Sequence, residues 1–163
     1  MKTASVSELK KELIHQSKEE LIELVNKLSK YSKENKEFLN YLLFESDFEE
    51  NYILKIKEEV GFEFDQMDTR SWKTMKKTIQ RILKTLKRYI KYSKNKQTEI
   101  ELLLFFCQKM RGLKFKLDRN PIILNIYKRQ LNTINKALST LHEDLQFDYK
   151  EELETAVSVI EDF

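Results

Sequence analysis

Glycine and proline are almost missing from this chain of 163 residues, which holds two of the first and one of the second. Sheets joined by tight hairpins need glycine at positive φ, and nucleotide-binding loops need it to bring backbone amides against phosphates. Gly61 and Gly112 stand alone, so no phosphate-binding loop, no dinucleotide fingerprint and no G-x-S-x-G elbow is present. The one cysteine, Cys107, cannot close an intrachain disulfide and lies in the most apolar run, as a reduced core residue of a cytosolic protein would. That run, Leu102 to Cys107, is six residues long, far below the ~20 that a membrane-spanning helix requires. Residues 1–8 have no apolar stretch of the signal-peptide kind. The expected location is therefore the cytoplasm, with no membrane partner.

What the chain does have is lysine, glutamate and leucine in heptad-like spacing, a composition that favours long helices with short connections. The predicted fold is all-α with about eight helices. An antiparallel bundle of long C-terminal helices carries shorter N-terminal helices packed on it, and a helical-repeat solenoid is the alternative. Residues 1–163 are read as one domain, with sub-bundles 1–60 and 70–163. Between them, Gly61 to Arg70 is expected to be an ordered loop, too rich in Phe62, Phe64 and Met67 to be a free linker.

Helix starts are the clearest local signals. Leu9, Leu13 and Ile14 outline a first helix from about Ser7 to His15. Ser17 with Glu20 forms a capping box ahead of Leu21, Leu24, Val25 and Leu28. Ser32 stands three residues before Asn35 and begins a third helix bearing Phe38, Leu39 and Leu42. Asp47 with Glu50 is expected to open a fourth, closed by Gly61. Thr98 with Glu101 marks the start of a mostly apolar helix ending at Gly112, predicted to be the central one. Leu113 to Arg119 forms a connection, and Asn120 followed by Pro121 opens the next helix. There Leu124, Tyr127, Leu131, Ile134, Leu138, Leu141 and Leu145 keep 3-4 spacing for about six turns. Asp148 with Glu151 is expected to cap a last helix, docked through Leu153, Val157 and Ile160.

Charge is strongly segregated. Residues 1–69 carry 10 basic and 16 acidic groups, residues 70–96 carry 11 and none, and residues 97–163 carry 9 and 11. The net charge of +3 thus conceals one basic element between two mildly acidic ones. On a helical wheel Trp72, Met75, Ile79, Ile82, Leu83, Leu86, Tyr89 and Ile90 share one arc. Lys73, Lys76, Lys77, Arg81, Lys84, Lys87, Arg88, Lys91 and Lys94 fill the other. Exposed like charges three or four residues apart each oppose the helix by roughly 0.2–0.5 kcal/mol, so something outside the helix must offset them.

Other chemistry-bearing residues have ordinary readings. Cys107 among Leu and Phe lacks the polar setting of a nucleophile. His142, Glu143 and Asp144 are adjacent on a helix and point about 100° apart, so they do not converge on a metal; His142 is expected near a helix C-terminus. Glu101, on the central helix, should find a partner on the basic helix. Asn125, Arg129, Asn132 and Lys136 form a solvated stripe. No catalytic residue, metal site or cofactor is assigned, and the chain is not read as an enzyme.

Three stretches together resemble an uncharacterised family, a domain of unknown function found in small lysine-rich bacterial helical proteins. They are Leu9-Lys10-Lys11-Glu12-Leu13 with Ser17 to Leu24; Tyr92-Ser93-Lys94 through Glu99, Glu101, Leu102 and Cys107; and Leu141 to Gln146 with Asp148 and Tyr149. The resemblance implies a bacterial, cytoplasmic, helical protein and supplies no activity.

Two functions follow. The leading expectation is a non-catalytic helical module that binds an unidentified protein partner, with homodimerisation in keeping with its apolar surface. In that reading the chain's own acidic helices neutralise the basic face. The alternative is binding of nucleic acid or another polyanion through Lys73, Lys77, Arg81, Lys84, Lys87, Arg88 and Lys91, with Tyr92 stacking on a base. The two differ in one observable, whether the protein's own carboxylates reach the basic side chains.

Overall fold

The computed structural model describes residues 2–113 and 117–161, and among them there are eight α-helices and no strand. They are α1 (Val6–Ile14), α2 (Lys18–Tyr31), α3 (Lys33–Asn40), α4 (Glu49–Asp65), α5 (Trp72–Ser93), α6 (Lys96–Arg111), α7 (Pro121–Leu138) and α8 (Glu143–Glu161). A π-helical turn, Tyr41–Glu45, follows α3, and a 3₁₀ turn, Leu117–Arg119, precedes α7. The chain divides into two compact units, residues 1–44 and 45–163. The loop expected over 61–70 is shorter, because residues 61–65 complete α4.

In the first unit, local chemistry places the helices. Ser5 and Glu8 form a reciprocal capping box at α1, and Ser17 and Glu20 form one at α2. The Glu20 carboxylate accepts from the Ser17 backbone N–H at 2.7 Å, and the Glu20 N–H donates to Ser17 Oγ at 3.2 Å. Ser32 breaks the chain between α2 and α3, and its Oγ accepts from the Asn35 N–H at 3.0 Å. α2 packs against α3, yet none of α1, α2 and α3 contains a fully buried residue.

The second unit is built around α6. Ile100, Leu102, Leu103, Leu104, Phe106, Cys107 and Met110 are all buried there, and the helix packs against α4, α5, α7 and α8. A helix apolar over most of its circumference has to be covered on several sides, and four neighbours cover it. These contacts join helices distant in sequence, which a linear stack of repeats would not do. Phe106 meets Phe64 of α4 edge-on, with ring centroids 5.5 Å apart. Tyr127 of α7, fully buried, donates its hydroxyl to the Ala156 carbonyl of α8 at 2.8 Å.

Several expected boundaries move. Gly61 does not close α4; it lies buried within the helix, and a Cβ there would meet Lys109 Cε at 3.5 Å and Phe105 Cζ at 3.7 Å. Asp47 does not cap α4, since Phe48 occupies that position without a side-chain bond. α6 starts at Lys96 because Asn95 Oδ1 accepts from the Gln97 N–H at 2.9 Å, which leaves Thr98 inside the helix and buried. α7 ends at Leu138 although the heptad pattern runs on to Leu145. There Ser139 Oγ donates to the Lys136 carbonyl at 2.9 Å and Thr140 Oγ1 to the Ala137 carbonyl at 2.6 Å, hydroxyls competing for the carbonyls a continuing helix would use.

α8 accordingly begins at Glu143, and Asp148 lies inside it. Leu153 and Val157 are half-buried beside the buried Ala156, as a docked helix requires. The side chain of Ile160 and residues 114–116 of the expected connection lie outside the described residues. Asn120 and Pro121 start α7 as expected, with Asn120 Oδ1 accepting from Ile122 and Ile123.

Candidate functional site

The feature that rises above the background is the outward face of α5. Its inward face is fixed by Met75, Ile79, Ile82 and Leu86, all at most 1% exposed. With those four held at 3-4 spacing, the intervening lysines must face away from the core. The helix then stops abruptly. Lys94 adopts φ 56°, a left-handed residue of the kind that closes helices, and Asn95 immediately caps α6.

Carboxylates of α4 approach α5. Glu63 pairs with Arg81 at 3.1 Å. Glu59 accepts from the Tyr89 hydroxyl at 3.1 Å, and Tyr52 donates to the Tyr89 carbonyl at 3.1 Å. Glu49 Oε1 accepts from both the Ser93 and the Thr98 hydroxyls. The Arg88 guanidinium lies over the Tyr89 ring, 5.6 Å from its centroid. Of these acidic groups Glu63 pairs with a cation of α5, Glu59 is held by the Tyr89 hydroxyl, and Glu49 by hydroxyls that tie α4 to the α5–α6 turn.

The remaining lysines are the decisive set. Among the described residues no carboxylate lies within 4.0 Å of the ammonium of Lys73, Lys76, Lys77, Lys84, Lys87, Lys91 or Lys94. The acidic groups of α8 lie elsewhere: Asp148, Glu151 and Glu152 line a groove of about 570 Å³ with Lys57, Glu101 and Arg111. Among the described residues, internal neutralisation, which the near balance of total charge had favoured, therefore reaches Arg81 and leaves these seven lysines without a carboxylate.

At the C-terminal end of the face the surface becomes concave. A groove of about 470 Å³ is lined by Lys87, Lys91, Lys94, Lys96 and Asn95 around Ile90, Leu103 and Thr133. Lys96 is paired within α6 to Glu99 at 2.7 Å. The other three lysines extend from the end of α5 into a pocket whose floor is apolar, an arrangement that concentrates positive potential.

Two aromatic residues exchange the roles expected of them. Tyr92 is buried, 9% exposed, its ring 6.3 Å from that of Tyr89, so it is not presented for stacking. Trp72, expected on the apolar arc, is 54% exposed at the start of α5 beside Lys73 and Lys76. It precedes the first core residue, Met75, by three positions. An indole at that place suits stacking better than Tyr92 does.

The remaining candidates take structural roles. Cys107 is fully buried, and burial pushes its thiol up to about 12, so no thiolate forms near neutrality. Glu101 pairs with Lys57 of α4 at 3.0 Å and not with α5; the Tyr149 hydroxyl lies 3.3 Å from it, and burial followed by the Glu101 charge raises the Tyr149 pKa. His142 stands at the N-terminus of α8 instead of a C-terminus, where its Nδ1 accepts from the Asp144 N–H at 3.4 Å. Asn125, Arg129, Asn132 and Lys136 are exposed, as a solvated stripe should be. Among the described residues no group of three or more His, Cys, Asp or Glu is disposed to hold a metal ion, and no helix is long and apolar enough to cross a membrane. Gln130 escaped the sequence reading: it is 1% exposed, donates to the Ile126 carbonyl at 2.8 Å, and leaves its Oε1 without a hydrogen bond.

No protein-family model, curated protein or solved structure matches the chain.

Proposed function

We propose that the protein binds nucleic acid through the outward face of α5, by contacts to phosphate and without reading base sequence. The observation that carries this reading is the row of seven lysines that meet no carboxylate among the described residues. From Lys73 to Lys94 the helix rises about 30 Å at ~1.5 Å per residue. Along one strand of a duplex, spaced ~3.4 Å per phosphate, that length covers about nine phosphates. Lysine is suited to the task as a flexible point charge that meets phosphate without the fixed fork geometry of arginine. The groove at Lys87, Lys91 and Lys94 offers a seat for a phosphate at one end, and Trp72 an aromatic surface at the other.

Titration of the full chain with short RNA and DNA, single- and double-stranded, at two salt concentrations tests the reading. Trp72, the sole tryptophan, serves as an internal reporter. Binding is expected to weaken steeply with salt. Changing Lys77, Lys84, Lys87 and Lys91 to Gln should reduce the log–log salt slope on a duplex by about 3–4, at ~0.9 per phosphate contact. Absence of binding at low salt, or a slope unchanged in the folded variant, overturns it.

A second reading, a helical protein-interaction module, rests on a different part of the chain. Leu9, Leu13, Val25 and Leu28 of α1 and α2 are 44–61% exposed apart from Val25 at 42%, an unusual apolar display for short helices.

A further inference from the structure

The polar stripe of α7 lies outside the core, and its cations have no partner within the fold. Arg129 and Lys136 are exposed, and α7 carries no Asp or Glu from Pro121 to Leu138. Among the described residues neither Arg129 nor Lys136 is paired with a carboxylate. Between them in sequence, Thr133 lines the groove of about 470 Å³ at the end of α5, together with Lys87, Lys91 and Lys94. Residues three and four apart are neighbours on a helix surface, so Arg129, four before Thr133, and Lys136, three after it, stand beside it. They stand on its solvent side, because Gln130 and Ala137, its neighbours on the other side, are buried.

The groove therefore lies between two helices, α5 and α7, that carry cations and no acid. Among the described residues Glu99 is the one acidic group in its lining, and it is paired to Lys96 at 2.7 Å. Lys87, Lys91 and Lys94 are exposed at the rim, while Ile90 is half-buried and Leu103 is 1% exposed beneath them. The concavity thus combines cations above with alkyl groups below.

Such a site distinguishes the two forms of nucleic acid. A duplex keeps its bases stacked inside and offers a convex row of phosphates, which suits the outward face of α5 and leaves the alkyl floor of the groove wet. An unpaired strand can turn a base onto Ile90 while its backbone meets cations from both walls, as in grooves that track single strands. Sites of ~300–1,000 Å³ hold ligands of nucleotide size. We infer that the groove between α5 and α7 is a seat for single-stranded nucleic acid, in which Arg129 and Lys136 bind phosphate from the α7 side. This rests on the nucleic-acid reading of α5 and names the form of ligand that the groove takes.

Anisotropy titrations of the full chain with a labelled single strand and with a blunt duplex of the same length, each over a range of salt, test the inference. Arg129→Gln combined with Lys136→Gln should lower the log–log salt slope on the single strand by about 1.4, at ~0.7 per phosphate contact, and leave the slope on the duplex unchanged. Lys128→Gln, on the same helix but turned ~140° from Thr133, should alter neither slope. Circular dichroism verifies that each variant is folded. A single-strand slope unchanged in the double variant, an equal fall on the duplex, or an equal fall per charge from Lys128→Gln would overturn the groove site and leave the reading of α5 standing. Absence of binding by the parent chain would remove both.

Discussion

Residues 1–44 and residues 45–163 are written in the same local idiom and differ in what surrounds it. Both have helices with a Ser or Asn cap and apolar residues at 3-4 spacing. In the second unit the faces converge on α6, and side chains from Met75 to Ile134 disappear from solvent. In the first, the stripes of α1, α2 and α3 bury no residue completely. Amphipathicity is thus a property of a segment, while a core depends on a common neighbour. The unit that has one, α6, owes it to a helix with apolar residues on nearly every side.

Breaking α6 should have the largest effect. Phe106→Ala, which empties a fully buried site against Phe64, should cost residues 45–163 about 3–5 kcal/mol in urea unfolding. Leu24→Ala in the first unit should leave that transition where it was. The same core has one flaw that can be mended. Gln130→Met removes an unsatisfied buried carbonyl and should stabilise by about 1 kcal/mol, the desolvation relieved outweighing one lost side-chain bond. Gly61→Ala should add roughly 0.5–1 kcal/mol to the same transition, because the position is helical and the new methyl meets only the far ends of Lys109 and Phe105 at ordinary contact distance.

Acid should act on the coreless unit first. Hydrogen bonds from Ser5 hold the Glu8 carboxyl below its usual range, and those from the Ser17 backbone and side chain do the same for Glu20. A carboxylate with a depressed folded-state pKa favours the helix above the ordinary carboxylate range and loses that contribution as pH falls through the lowered folded-state value. Backbone chemical shifts of α1 and α2 should therefore drift toward coil as pH falls below the ordinary carboxylate range, while those of α6 hold. Equal loss in both would break the comparison.

What was legible in the sequence followed from range. Caps at Ser17, Ser32 and Asn120 join a side chain to a backbone two or three residues away, so spacing reveals them. The centrality of α6 was legible because an all-apolar surface permits few other placements. The end of α7 was hidden, since hydroxyls of Ser139 and Thr140 end the helix without disturbing the heptad rhythm. The identity of ion pairs was hidden as well. Glu101 faces Lys57, 44 residues away in sequence, and no pattern of residue types distinguishes Lys57 from the lysines of α5. At the candidate site the lysines were all evident from the wheel, but whether acid would reach them was not. Total charge counts carboxylates, and neutralisation depends on where they point.

The six lysines of α5 and Lys94 at its cap, which meet no carboxylate among the described residues, have a consequence for the protein's relation to its solvent. Along about 30 Å of one rod, repulsion is relieved only from outside, so this face behaves as a short polyelectrolyte that gathers mobile anions from the medium. A protein held by surface ion pairs loosens as salt is added; this helix should tighten, because dissolved ions screen a repulsion and not an attraction. Any polyanion arriving at α5 then exchanges with a crowd of small ions already there, and the entropy of their release becomes part of its affinity.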